Sequence, residues 1–257
     1  MSNEQALQQY DVKKYRTPDG YTSDIAIFTI VSEQQEFKPP EMDLQLMLIQ
    51  RSMTDSEGRP NMEAGKWALP GGFVNPDETA FESAKRELME ETGVNNIHLK
   101  HFGVYDTPGR DPRGWIITNA HYAIVPEHLL QERQANDDAS EVELFSVKEV
   151  LELDLAFDHR QIIQDAIEVI TRELLETTVA QSFLPEKFTY SELQAVLLTV
   201  SDDSAISLDA AFARKIKSLP FIEEVKGEKT TRTSKKPTQL YRFVDVPVNH
   251  SIYHNKR

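Results

Sequence analysis

The sequence predicts a mixed α/β domain followed by a small helical module that closes on a two-stranded hairpin. Three observations support this. Residues 24–31 (DIAIFTIV) and 43–50 (DLQLMLIQ) are aliphatic runs of strand length. Residues 158–178 place Ile162, Ile163, Ala166, Ile167, Ile170 and Leu174 at i, i+3, i+4 steps, the period of an amphipathic helix. After Ser182 the pattern becomes helix, turn, helix and a hairpin with a basic tip, the order of a winged helix-turn-helix.

Between the first two strands lies a polar turn with Pro39 and Pro40, and GRPNMEAGKWALPGG (58–72) reads as loop with WAL as a short buried piece. Asn75-Pro76-Asp77-Glu78 carries a helix-start pattern, with Asn75 as N-cap, Pro76 at the first helical position and Glu78 at the capping-box position. Gly93 ends that helix. Strands are expected over 97–105 and 115–125, and VKEVLELDL is short and helical or irregular. Thr189 and Glu192 form a second capping box, opening a helix over 190–200. Ser207 or Asp209 starts a further helix that stops near Leu219-Pro220. FIEEVKG and QLYRFV then read as strands joined by EKTTRTSKKPT. No internal repeat is evident. The expected domains are 1–178 and 182–257.

Of the 257 residues, 39% are hydrophobic and 27% charged, which fits a folded soluble chain rather than a disordered one. No apolar run approaches the ~18 residues of a membrane span, and the polar start MSNEQALQQYDVKKY is no signal peptide. Cysteine is absent, so any metal must take oxygen or imidazole ligands, and a cytoplasmic location is the default. The net charge of −14 is unevenly spread: residues 211–257 carry 11 Lys and Arg against 4 Asp and Glu, the other 210 residues 17 against 38. Such a division points to two modules, the basic one either meeting a polyanion or forming a solvated tail.

GGFVNPDETAFESAKRELMEETGV (71–94) crowds six acidic side chains between Asp77 and Glu91. Glu87, Glu90 and Glu91 sit at i, i+3, i+4, where like charges weaken a helix. On a wheel at ~100° per residue, Glu87 and Glu91 share an arc with Ala80, Ala84 and Leu88. Carboxylates turned toward a core need a partner, and a divalent cation is the natural one.

The spacing Gly72-x5-Glu78-x7-Arg86-Glu87-Leu88-x-Glu90-Glu91-x-Gly93-Val94 resembles the Nudix box at every defined position. The resemblance implies the α/β (α+β) Nudix fold, a mixed sheet sandwiched by helices. It also implies metal-dependent hydrolysis of a nucleoside diphosphate derivative, with Mg²⁺ or Mn²⁺ as cofactor. On this basis Glu87, Glu90 and Glu91 are metal ligands, with the Gly71 carbonyl as a further one. Arg86 orients a glutamate through a salt bridge, and Glu78 anchors the loop-helix-loop. Arg51 and Trp67 stand where Nudix proteins often contact the nucleotide, or are structural. Pro108 lies close to where ADP-ribose pyrophosphatases carry a proline, and Arg110 and Arg113 beside it are candidates for phosphate contact. NDDASEVELF (136–145) resembles the loop before the last strand of such enzymes, which makes Glu141 the candidate base. His101, His121 and His159 lack ligand-like clustering and read as structural.

WALPGGFV, DTPGRDPRGW, LAFDHRQII, LPEKFTYSELQAV, ARKIKSL and QLYRF together resemble Nudix-related transcriptional regulators of NAD metabolism, including ADP-ribose sensors with a DNA-binding winged helix. Many of those regulators have a degraded box; here it is intact. Arg214, Lys215 and Lys217 fall in the expected recognition helix, and Lys226, Lys229, Arg232, Lys235 and Lys236 in or near the wing, where they would meet phosphates of double-stranded DNA. A homodimer is expected. Two alternatives stand beside a hydrolase with a regulatory DNA-binding domain: a non-catalytic ADP-ribose sensor, or an enzyme whose C-terminal domain serves only protein contacts.

Overall fold

A computed structural model of the chain describes residues 2–11, 14, 16–55, 57–93, 98–130 and 139–245. Val94, residue 97, the segment 131–138 and the end of the expected second domain, 246–257, lie outside the described residues. After a short capped helix α1 (Asn3–Gln8), the chain forms β1 (Gly20–Glu33) and β2 (Glu41–Arg51), an antiparallel pair. β3 (Trp67–Ala68) and β4 (Gly71–Phe73) bracket Pro70 and add to β2 and β1 respectively. α2 (Ala80–Thr92) leads to β5 (His98–Tyr105), β6 (Ile116–Ile124) and β7 (Ala139–Ser146). β6 runs parallel to β1 while the other pairs are antiparallel, so the sheet is mixed, in the order β3-β2-β1-β6-β5 with β7 on β2.

Strand alternation divides β1 and β2 between two faces. Ile25, Ile27 and Met47 pack with Ala84 and Leu88 of α2 on one face. Ala26, Phe28, Leu44, Leu46 and Leu48 pack on the other, against α3 (His159–Glu176), whose Ile162, Ile163, Ala166, Ile170 and Leu174 are all buried. These are five of the six helix positions expected from the 158–178 periodicity, and the sixth, Ile167, is half-buried against the same cluster.

The same apolar cluster continues without a break into the C-terminal module. Val179 and Ala180, in a 3-10 turn after α3, join Phe188, Leu193 and Val196, then Phe212, Ile216 and Tyr241. That module contains α4 (Tyr190–Leu198), α5 (Ser204–Ser207), α6 (Asp209–Lys215) and the hairpin β8 (Ile222–Thr230) with β9 (Thr238–Phe243). Phe188 and Tyr241 exchange backbone hydrogen bonds of 2.9 and 2.8 Å, adding a minimal third strand to the wing. The expected winged helix-turn-helix is present, with its core fused to that of the first domain. Among the described residues, no helix is long and apolar enough to cross a membrane.

Three local expectations need correction. α2 does not start at Pro76: its N-cap is Thr79, and the reciprocal capping box is Thr79 with Glu82. Glu78 accepts from the Asn75 backbone N–H at 2.9 Å, as its capping-box position predicts, and from Arg86 at 2.9 Å, but residues 75–78 form a separate turn before the helix. The stretch 58–72 is not wholly loop, since Gly71–Phe73 begins a paired strand. A separate one-turn helix, α5, precedes the helix expected from Ser207 or Asp209. By contrast, Gly93 ends α2 in the left-handed conformation (φ 70°), as its position suggests.

Candidate functional site

One large cavity, about 830 Å³, opens beside the end of β1 and the N-terminus of α3, a volume suited to a nucleotide-sized ligand. Its acidic wall is α2. Glu91 is 6% exposed, as its place on the inward arc of the helix requires. Arg86 spans the other two carboxylates of the cluster, donating to Glu87 at 2.7 Å and Glu90 at 3.3 Å. It also holds Glu78 at 2.9 Å, and this bond keeps the Glu78 carboxyl at a pKa of about 2. Burial pushes the Glu87 carboxyl up from the ordinary range, against the pull of Arg86.

β4 is shaped to admit these groups. A Cβ at Gly72 would stand 2.3 Å from Glu87 Oε1, and one at Gly71 (φ 154°) would meet the Ser23 carbonyl at 2.3 Å. Only glycine allows the strand to pass this close to α2 and β1. On the floor lies Asp24, whose pKa is raised to about 7 by burial, with Arg110 opposing the rise.

The basic wall holds Arg51, Arg110 and Arg113. Arg110, with its side chain 4% exposed, donates to both oxygens of Asp158 at 2.6 and 2.7 Å and to Thr118 at 3.0 Å. Arg113 is paired with Asp111 at 2.6 Å. Arg51 donates to the Met62 carbonyl and Asn61, each at 2.8 Å. A cavity with carboxylates on one wall and guanidinium groups on the other suits a polyphosphate accompanied by a cation.

Comparison with known proteins accords with this geometry. The NUDIX domain model matches residues 22–166, more than half of the chain. The chain belongs to the Nudix family. A second model, the NrtR DNA-binding winged helix domain, matches residues 180–243. The chain is 33% identical over 245 residues to the ADPR responsive transcriptional repressor NtrR of Acinetobacter baylyi, covering 94% of this chain and 89% of the repressor. It is also 39% identical over 125 residues to an ADP-ribose pyrophosphatase of Methanocaldococcus jannaschii, covering 49% and 67%. Among solved structures, Shewanella oneidensis NrtR complexed with a 27mer DNA matches with TM-score 0.66 and 28% identity, over 87% of this chain and 93% of that one.

Within the Nudix domain, two candidates fall on the wrong side of the sheet. Gln50 pairs with Trp67 across one edge of β2 and with Glu141 across the other, so all three share a face. Their neighbour Ile49 lines the cavity, and alternation therefore turns Trp67 and Glu141 away from it. Trp67 packs edge-on against Phe145, ring centres 4.7 Å apart, while Glu141 is exposed. The resemblance offered Trp67 just before the box and Glu141 in the loop before the last strand, but sequence could not give their register.

For a divalent cation, the donor set fits: Glu87, Glu90, Glu91 and the Gly71 carbonyl are hard oxygens, and Gly72 leaves room for the Glu87 carboxylate. With Arg86 engaging Glu87 and Glu90, no three acidic or imidazole side chains among the described residues converge into a ready cage.

Arg214, Lys215, Lys217, Lys235 and Lys236 are all exposed on the winged helix. Arg232 is different. Its guanidinium donates to both oxygens of Glu192 at 2.7 Å and to the Lys187 carbonyl at 2.7 Å, so it ties the wing to the start of α4. Glu192 simultaneously closes the Thr189 capping box.

The sequence reading missed Asp24, Phe157, Asp158 and the cavity role of His159. His159 accepts from the Leu69 backbone N–H at 2.9 Å, and burial lowers its pKa to about 4, leaving it neutral. Its 3.8 Å approach to Asp24 is therefore not an ion pair at neutral pH. The signal available was LAFDHRQII, whose resemblance to the regulators assigned no role to its single residues.

Proposed function

We propose that this chain is an ADP-ribose-responsive transcriptional regulator that retains Nudix hydrolysis. The observation that carries this reading is the union, in one chain, of an intact acidic Nudix wall facing three arginines and a winged helix with exposed basic side chains. Glu87, Glu90, Glu91 and the Gly71 carbonyl would hold Mg²⁺ or Mn²⁺. The bound cation would neutralise the pyrophosphate and activate the attacking water. Arg110 and Arg113 would receive the diphosphate, with Arg51 at the mouth of the cavity. Arg86 holds Glu87 and Glu90 in register, and Glu78 holds Arg86. Products would be AMP and a sugar phosphate.

On the second domain, Arg214, Lys215 and Lys217, with Lys235 and Lys236 of the wing, would contact phosphates of double-stranded DNA. A cytoplasmic homodimer acting on genes of NAD or sugar metabolism, with domains 1–178 and 182–257, completes the reading, since operators are commonly two-fold. The winged helix shares its apolar core with the sheet, so ligand and DNA would be coupled, by a typical ~5- to 150-fold.

The test has two arms. Full-length protein is titrated with a duplex that it selects from a random-sequence pool, at fixed salt, with and without ADP-ribose. Weaker binding in ADP-ribose is expected; equal affinities would separate the domains functionally. Independently, ADP-ribose is incubated with protein and Mg²⁺ or chelator. AMP release that persists in excess chelator would remove the metal from the mechanism, and no release with either cation would leave the non-catalytic sensor.

A further inference from the structure

The start of α3 is built unlike the starts of α1, α2 and α4. α1, α2 and α4 open with Ser2, Thr79 and Thr189, whose ψ angles of 161°, 161° and 159° let the side chain accept from the first turn. α3 opens with Asp158, a residue type well suited to capping. Yet its ψ is 17° and its side chain makes no capping bond. Both carboxylate oxygens are turned to Arg110 instead, at 2.6 and 2.7 Å.

The preceding residue, Phe157, has φ 50°, a left-handed backbone that a bulky aromatic residue rarely adopts. Such a conformation persists only where its surroundings hold it. Here the Arg51 and Arg113 guanidinium groups lie 5.1 and 5.2 Å from the Phe157 ring centre. Arg51, Arg110 and Arg113 thus all touch Phe157 or Asp158. These are also the groups that an anionic ligand in the cavity would draw to itself.

We propose that Phe157 and Asp158 form a latch, in which an anionic ligand that recruits Arg110 releases Asp158 to cap α3. This inference rests on the reading of the cavity as a diphosphate site and adds its mode of regulation. In the latched state Asp158 neutralises Arg110 and leaves the first turn of α3 uncapped. In the released state the ligand's phosphates take over Arg110, and Asp158 turns toward ψ near 160°. Its carboxylate then accepts from the Arg160 backbone N–H, a position that an N-cap serves, whereas the Gln161 N–H already donates to the Asp158 carbonyl at 2.9 Å in the latched state. Phe157 loses its hold on the arginines and leaves the left-handed region. The ligand does this only through its differential affinity for the two arrangements. The opposite end of α3 leads through Val179 and Ala180 into the core shared with α4, so reorientation of the helix reaches the winged domain.

The test is amide hydrogen exchange on the full-length protein, with ADP-ribose as probe and binding measured in parallel by calorimetry. In the wild type, ligand should slow exchange at Arg160 by about 3- to 30-fold, the range expected for gaining a cap. Asp158→Asn cannot hold Arg110 by charge but can cap; its first turn should be protected already without ligand, with no further slowing. Asp158→Ala should show no ligand-dependent slowing there. Ligand that binds the wild type without changing that amide, or the same slowing in Asp158→Ala, overturns the latch alone. Failure of ADP-ribose to bind the wild type overturns the diphosphate reading and the latch with it. Should Asp158→Asn not fold, the wild-type exchange measurement decides.

Discussion

The cavity and the winged helix both gather charge, but they manage it in opposite ways. In the cavity every named guanidinium has a close oxygen partner: Arg86 with Glu78 and Glu87, Arg110 with Asp158, Arg113 with Asp111. On the winged helix, no ion pair among the described residues involves Arg214, Lys215, Lys217, Lys235 or Lys236. Buried charge must be balanced within the fold, whereas exposed charge is balanced by water and salt until a polyanion displaces them. The cavity is therefore organised around internal pairs. The basic surface starts unpaired and responds to ionic strength.

The contrast can be broken most severely in the acidic wall. Glu91→Gln keeps side-chain volume and removes one charge from the cation's donor set; hydrolysis of ADP-ribose should fall by about 100-fold or more, with thermal stability near wild type. A turnover number close to wild type would take Glu91 out of the site. The second test acts on the exposed surface. Replacing Arg214, Lys215 and Lys217 with Ala should lower DNA affinity and reduce the slope of log K against log salt by about 0.9 for each phosphate that the variant no longer neutralises. An unchanged slope would place α6 away from DNA.

Arg232 sharpens the comparison because it is a winged-helix cation handled as a cavity cation. Arg232→Ala leaves Glu192, whose side chain is 6% exposed, without its fork of donors. A cost of about 1–3 kcal/mol in unfolding free energy is expected from such a loss, read by denaturant titration. A loss of DNA affinity with no loss of stability would instead make Arg232 a phosphate contact.

The smallest effect concerns pH. Burial lowers the His121 pKa to about 4, below the ordinary ~6.5 of the unfolded chain. Between those values the unfolded state binds more protons than the folded state. The His121 contribution is thus fully present above about pH 6.5 and lost as pH falls toward 4. Replacing His121 with Gln should flatten stability against pH in that window, and NMR titration of the imidazole checks the value directly.

By itself the sequence determined what depends on local pattern. The 158–178 periodicity, the Thr189–Glu192 box, the Gly93 stop and the inward arc of Glu91 are all properties of a single helix, repeated every few residues. The box spacing named the family because its defined positions share one helix and the loop before it. What the sequence could not supply was register between distant strands and competition for side chains. Trp67 and Glu141 were offered by resemblance, yet pairing with Gln50 turns both from the cavity. Asn75 and Glu78 have the letters of a cap and the Asn75 N–H does donate to Glu78, but Arg86, eight residues beyond Glu78, shares that carboxylate and α2 is capped only at Thr79. Asp158 has the letter of a cap too, and Arg110 takes that one across the cavity. A carboxylate has few lone pairs and many suitors, and only the tertiary structure decides which donor is near enough to win.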